Sequence, residues 1–92
     1  MFLTSSMSSA HRRTGEIEVQ ILELCLDGVG KTFIVYSLNL NFAAGNRHLK
    51  SLLDKGLIEV IQGARPIYKT TQKGKSVLRH IWKIKEIINN SD

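Results

Sequence analysis

The chain contains very little cysteine and proline, with one residue of each among its 92 residues. A lone cysteine, Cys25, has no second thiol with which to form a disulfide within the chain, which is typical of proteins in a reducing compartment. No apolar run approaches the ~18 residues of a transmembrane helix. At the N-terminus the charges follow the apolar residues, unlike in a secretory signal. These absences predict a cytoplasmic protein that does not associate with membranes.

The sequence also lacks the residue combinations on which catalytic and metal sites depend. The histidines His11, His48 and His80 have no cysteine or carboxylate at ligand spacing, and no Ser-His-Asp set or acid pair indicates catalysis. Residues 28–32 resemble the last residues of a phosphate-binding loop. That loop requires a glycine at the position of Cys25, and the segment before residue 28 has a helical pattern. We therefore expect no enzymatic activity, no cofactor and no metal.

The charge of the chain is distributed unevenly. Apolar residues make up 42% of the sequence and charged residues 23%, which is ordinary for one small globular domain. The net charge is +5, yet residues 14–30 hold four acidic and no basic residues, while residues 60–85 hold seven basic and no acidic ones. A basic side on a small domain favours a polyanionic partner such as nucleic acid.

Two helices are predicted in the first part of the chain. Apolar residues at positions 17, 21, 24 and 25 follow helical spacing, which predicts an amphipathic helix over residues 16–26. Thr14 is its expected N-cap, and Gly28 is expected to end it. Thr32 is expected to cap a short second helix that continues through Tyr36.

The second part of the chain predicts a third helix, a hairpin and a final helix. Asn39 and Asn41 on either side of Leu40 predict a turn followed by a helix cap. The third helix is expected from Asn41 to Lys55, with Phe42 and three leucines on its core side. Short β-branched runs at 57–61 and 67–70 predict two strands, and Thr71 is expected to cap the last helix. Three helices, a two-stranded wing and a C-terminal helix define a mostly helical α+β fold, the winged helix-turn-helix.

Four blocks of residues are typical of one family. They are Lys31-Thr32-x-Ile34-Val35-Tyr36, Asn39-Leu40-Asn41-Phe42, Leu49-x-x-Leu52 leading into Gly56-Leu57-Ile58, and Tyr68-x-x-Thr71-x-Lys73-Gly74 followed by Leu78. In this order, over residues 12–88, the sequence resembles the small archaeal winged-helix DNA-binding regulators. That family includes dimeric chromatin proteins with a C-terminal coiled-coil helix. The resemblance implies that the chain binds double-stranded DNA.

The pair Ala44-Gly45 departs from this resemblance, since such proteins often carry bulkier residues there. A glycine inside a helix costs about 1 kcal/mol relative to alanine. We therefore expect the start of the third helix to be loosened.

We divide the chain into a flexible leader (1–13, in which Met7 is an alternative start), a winged-helix DNA-binding domain (14–74) and a C-terminal dimerisation helix with its tail (75–92). The third helix is expected in the major groove and wing 62–69 on the minor groove or the backbone. The residues expected to contact DNA are Lys31, Thr32, Asn41, Ala44, Asn46, Arg47, Lys50, Ser51, Arg65, Lys69 and Lys73.

The last helix has more aliphatic residues than so small a domain would bury, which predicts a homodimer. The expected interface residues are Val77, Leu78, Ile81, Ile84 and Ile88. The function we expect is a dimeric transcriptional regulator. Two alternatives stay open: a sequence-tolerant chromatin protein of the same fold, and a winged helix that binds other proteins and no DNA. The basic third helix argues against the last.

Overall fold

The computed structural model describes residues 13–90 of the chain. Apart from Arg13, the predicted leader lies outside the described residues, and with it Met7 and His11. The elements are α1 (Thr14–Leu24), α2 (Lys31–Ser37), α3 (Phe42–Asp54), β1 (Ile58–Ile61), β2 (Ile67–Thr70) and α4 (Gln72–Asn90). This order confirms the predicted α+β winged helix.

Helix α1 starts and ends earlier than its pattern predicts. Its N-cap is Arg13, whose backbone N–H donates to Oε1 of Glu16 at 3.3 Å, so Thr14 is the first helical residue and not the cap. At the other end, the Cys25 carbonyl accepts from the N–H of Thr70 at 3.0 Å, and this pairing with β2 draws the chain away from the helix. Gly28, with φ +91°, lies in the turn that follows.

The start of α2 is also fixed by the wing. Val29 pairs with Tyr68 through two backbone hydrogen bonds of 3.0 and 2.8 Å, an antiparallel bridge beside β2. The chain then enters α2 directly, with Gly30 as the N-cap. Thr32 therefore lies inside the helix, and its prediction as the cap is wrong.

The turn between α2 and α3 follows its prediction. Asn39 adopts the left-handed conformation (φ +55°), which asparagine tolerates better than most residues. Asn41 caps α3, because its Oδ1 accepts from the N–H of Ala44 at 2.7 Å. Asn39 in the turn and Asn41 at the cap thus place the start of α3 where the sequence predicts it.

The hairpin and the last helix are confirmed as well. β1 and β2 pair antiparallel, with Ile58 opposite Thr70 and Ile61 opposite Ile67, and residues 62–66 form the turn. Thr71 caps α4 by accepting from the N–H of Gly74 at 3.1 Å. Helix α4 continues across the expected boundary between residues 74 and 75.

The core lies between the helices and the inner side of the wing. Its buried apolar residues are Ile17, Ile21, Leu22, Cys25, Ile34, Val35, Leu38, Leu49, Leu52, Ile58 and Leu78. Phe42 does not join them: it is 46% exposed, contrary to its prediction as a core residue. Gly45 is buried where α2 and α3 come closest, since a Cβ there would lie 2.8 Å from Cγ2 of Val35. This glycine permits close packing of α3 against α2, which offsets its cost in helix propensity.

Candidate nucleic-acid interface

The outward side of α3 is polar and basic. Its buried residues, among them His48, Leu49 and Leu52, all lie on one side of the helix. Asn46, Arg47 and Lys50 are exposed on the opposite side. Lys50 forms an exposed ion pair with Asp54 at 3.3 Å, which contributes only about 0.3–0.5 kcal/mol at such a spacing. Arg47 makes no ion pair with any of residues 13–90.

The other α3 residues expected at the interface lie at its margins. The side-chain oxygen of Asn41 is engaged in capping the helix. Ala44 and Ser51 are half-buried on the flank of the helix. The structure therefore brings Asn46, Arg47 and Lys50 together as a single surface. Asn41, Ala44 and Ser51 lie around its edge.

A groove separates the start of α2 from the wing. Its volume is about 490 Å³, and Lys31, Thr32 and Phe33 form one wall, while Arg65 and Tyr68 belong to the other. Arg65 is exposed in the hairpin turn, next to Pro66. The structure thus places two cationic side chains, predicted from separate parts of the sequence, on opposite sides of one groove.

The two remaining predicted lysines differ in their surroundings. Lys69 is half-buried in β2, directly opposite Glu59 in the hairpin. Lys73 donates from Nζ to the carbonyl of Lys55 at 2.8 Å, so it satisfies a backbone acceptor at the C-terminal end of α3. Lys73 therefore supports the position of α3 whether or not DNA is bound.

A buried polar cluster behind α3 was not predicted. Glu18 of α1 is only 8% exposed, and its Oε2 lies 3.3 Å from Nδ1 of His48. Its other oxygen accepts from Nζ of Lys55 at 3.2 Å. Glu18 is one of four acids in an acidic segment, but helical spacing places it on the side of buried Ile21 and Cys25, whereas the other three acids fall on the opposite side and are exposed. This cluster ties the buried side of α3 to α1.

The acidic segment of the chain lies on the side of α4. Glu23 of α1 accepts from Nε1 of Trp82 at 2.9 Å. A groove of about 600 Å³ between these helices is lined by acidic Glu16 and Glu23 and by Ile81 and Lys85. The acidic side of α1 thus packs beside α4.

The expected dimer residues divide between the core and the surface. Leu78 is fully buried within its own chain and is not available to a partner, which corrects its assignment to the interface. Val77 and Ile81 are half-buried, whereas Ile84 and Ile88 are exposed. Trp82 and Ile87, which were not predicted, are exposed beside them.

Three further features of residues 13–90 concern metal ligands, the thiol and helix hydropathy. No three His, Cys, Asp or Glu side chains within residues 13–90 are grouped as a metal ion requires. Burial raises the pKa of the Cys25 thiol to about 12, because the thiolate would be desolvated, so the thiol is protonated at neutral pH. No helix in this part of the chain has the length and apolar content needed to cross a membrane.

Comparisons with known proteins agree with this geometry. The winged helix-turn-helix family model matches residues 11–89. Sso10a-2, a DNA-binding protein from Sulfolobus solfataricus, is 31% identical over 86% of this chain and 84% of that one, with a TM-score of 0.73.

Two more distant structures share the fold. ZitR from Lactococcus lactis is 21% identical with a TM-score of 0.72, over 98% of this chain and 71% of that one. The predicted DNA-binding transcriptional regulator from E. coli is 19% identical with a TM-score of 0.61, over 92% and 88%. No curated protein sequence matches the chain. The element order, the wing and the match over residues 11–89 show that the chain belongs to the winged helix-turn-helix family.

Proposed function

We propose that the chain binds double-stranded DNA as a homodimeric transcriptional regulator, with α3 in the major groove. The observation that carries this proposal is the exposed surface of Asn46, Arg47 and Lys50 on the outward side of α3. In a helix-turn-helix this side of the third helix faces the base edges. An arginine there pairs with guanine through O6 and N7, or holds a phosphate.

The groove between α2 and the wing supports the same orientation. Lys31 and Thr32 on one wall and Arg65 on the other are placed to hold the DNA backbone while α3 is in the neighbouring groove. Lys69 on β2 and Lys73 in the first turn of α4 add further positive charge. The assignment is consistent with Sso10a-2, which is described as a DNA-binding protein.

The homodimer is supported by the second half of α4. Ile84, Ile87 and Ile88 expose large apolar side chains within five residues of sequence, on one side of the helix. A cluster of this kind on a small domain is typical of a protein interface. In the proposed dimer this part of α4 packs against its symmetry mate, and two copies of α3 face two half-sites on the DNA.

Two triple variants test the DNA contact. Arg47→Ala/Lys50→Ala/Arg65→Ala removes three positive charges from the proposed surface, and Arg79→Ala/Lys83→Ala/Lys85→Ala removes three from α4. Fluorescence anisotropy with a labelled duplex at low salt should show lost binding for the first variant and nearly unchanged binding for the second. Equal binding by both variants would show that DNA does not contact α3 and the wing.

Selection from random duplexes at physiological salt defines the type of DNA-binding protein. A regulator with two equivalent half-sites enriches a palindrome, because the symmetry of the protein is repeated in the site. Uniform recovery of the pool identifies a sequence-tolerant chromatin protein of the same fold, with a small specificity ratio.

A further inference from the structure

Phe42 is an apolar residue exposed at the position where α3 begins. It is the first residue of the helix, and it is the only large hydrophobic residue exposed on α3. The residues beside it are smaller or more polar: Ala43 has only a methyl group, and the side-chain oxygen of Asn41 accepts from the Ala44 N–H. Phe42 is therefore the large side chain presented by the first turn of α3.

Tyr36 of α2 holds the Phe42 ring in place. The two rings meet edge to face, with centroids 6.4 Å apart and an interplanar angle of 74°. Tyr36 is itself 73% exposed, so this contact adds little to the core. Its effect is to orient the Phe42 ring on the α2 side of α3, one helical turn before Asn46, at the edge of the proposed DNA-binding surface.

The major groove contains one kind of apolar group that fits such a ring. Among the base edges of the four ordinary base pairs, only thymine carries a methyl group, at C5, and apolar side chains recognise it by contact. The first residues of the third helix are those that reach base edges in a helix-turn-helix. We propose that Phe42, positioned by Tyr36, contacts thymine methyl groups and gives the protein a preference for them. The inference rests on the proposed DNA-binding function.

Substitution of uracil for thymine tests this contact, because it removes only the methyl group. The probes are the alternating duplexes poly(dA-dT) and poly(dA-dU). Burial of one methyl group corresponds to about a fourfold difference in affinity, so the wild-type protein should bind poly(dA-dT) at least about fourfold more tightly. In Phe42→Ala the ratio of the two affinities should fall to about one.

Two further variants make the test specific. Trp82→Ala removes another exposed aromatic residue, on α4 and outside the proposed DNA-binding surface, and should leave the ratio unchanged. Tyr36→Ala removes the support for the Phe42 ring and should reduce the ratio while the Phe42 ring remains. Circular dichroism establishes that each variant keeps the helical content of the wild type.

The outcomes separate this inference from the proposed function. If the wild type binds both duplexes equally well, DNA binding stands and the role of Phe42 is wrong. A ratio that survives in Phe42→Ala, or disappears in Trp82→Ala, also overturns it. If the wild type binds neither duplex, the proposed function fails, and the role of Phe42 fails with it.

Discussion

At the scale of single residues, Gly45 determines how closely α2 and α3 pack. A Cβ at this position would lie 2.8 Å from a methyl group of buried Val35. Gly45→Ala should therefore destabilise the protein by about 1–3 kcal/mol, even though alanine favours a helix by about 1 kcal/mol over glycine. The measurement is the free energy of unfolding in denaturant.

Gly15 in α1 provides a matched control for this substitution. A Cβ there meets no atom within 4 Å, so Gly15→Ala gains helix propensity without a clash. We expect it to be neutral or stabilising by up to about 1 kcal/mol. If Gly45→Ala were as stable as Gly15→Ala, Val35 would have to move aside without cost.

Glu18 is the residue whose loss should most disturb the attachment of α3 to α1. Glu18→Leu removes the acceptor for buried His48, and an unsatisfied buried polar group costs about 1–3 kcal/mol. Glu18→Gln keeps an acceptor and should cost less, because the partly exposed Lys55 loses little when its ion pair is removed. Chemical denaturation measures both.

A double variant examines the same contact from the other side. Glu18→Leu/His48→Leu removes both polar partners, so no buried group remains unsatisfied. It should be more stable than the sum of the two single changes implies. Strict additivity of the two single changes would mean that the 3.3 Å contact contributes nothing.

At the scale of elements, α3 and the wing are expected to contribute differently to DNA binding. Arg47→Ala on α3 should change the sequence preference, since an arginine at base edges reads guanine. Lys69→Ala on β2 should weaken binding to all duplexes about equally and reduce the salt slope by about one. Binding titrations at several salt concentrations, on selected and random duplexes, distinguish the two effects.

Lys73 is less suitable than Lys69 for this comparison. Its ammonium group donates to the Lys55 carbonyl, so Lys73→Ala alters the end of α3 as well as the charge.

If Arg47→Ala weakened every duplex uniformly, Arg47 would be a phosphate contact and specificity would arise elsewhere on α3.

The elements that the sequence predicts well are those fixed by local signals. Asn41 and Thr71 cap their helices because a side-chain oxygen and a backbone N–H three residues later are close in any helix start. The start of α2 depends instead on the Val29–Tyr68 bridge, which joins residues far apart in sequence. Periodicity within one segment carries no information about such a bridge.

The candidate site shows the same limit. Helical spacing places Arg47 opposite the leucines of α3 and Lys50 on the flank, and the helix-turn-helix order then predicts both as DNA contacts. The Glu18–His48 contact joins residues thirty apart, and the exposure of Phe42 depends on where α2 lies beside α3. Both follow from the packing of separate helices, which a single helical projection does not contain.

At the scale of the whole molecule, the net charge of +5 overstates what is available for DNA. Of the seven basic residues between positions 60 and 85, only Arg65 and Lys69 lie on the hairpin. The other five lie on α4, where Lys73 donates to the end of α3 and Lys85 lines the groove that also contains Glu16 and Glu23. Charge is therefore distributed unevenly over the fold: α3 and the wing are basic, and the acidic helix α1 lies beside α4.

The second half of α4 gives the last prediction, which concerns assembly. Ile84→Glu places a charge in the proposed dimer interface, where its desolvation is unfavourable, and should convert a dimer into a monomer. Ile61→Glu is the matched control, because Ile61 is also an exposed isoleucine (48% against 56% for Ile84) but lies on the wing. Sedimentation equilibrium should give twice 10.4 kDa for the wild type and Ile61→Glu, and 10.4 kDa for Ile84→Glu.

DNA binding links this assembly to the proposed function. A dimer contacts two half-sites at once, so its affinity exceeds that of one domain through a high effective concentration. The Ile84→Glu monomer should therefore bind a palindromic duplex more weakly than the wild type, while both bind a single half-site with similar affinity. A wild type that sediments at 10.4 kDa at every concentration would contradict the dimer. So would an Ile84→Glu variant that remains dimeric, and in either case the exposed side chains of α4 would have to be covered by a different partner.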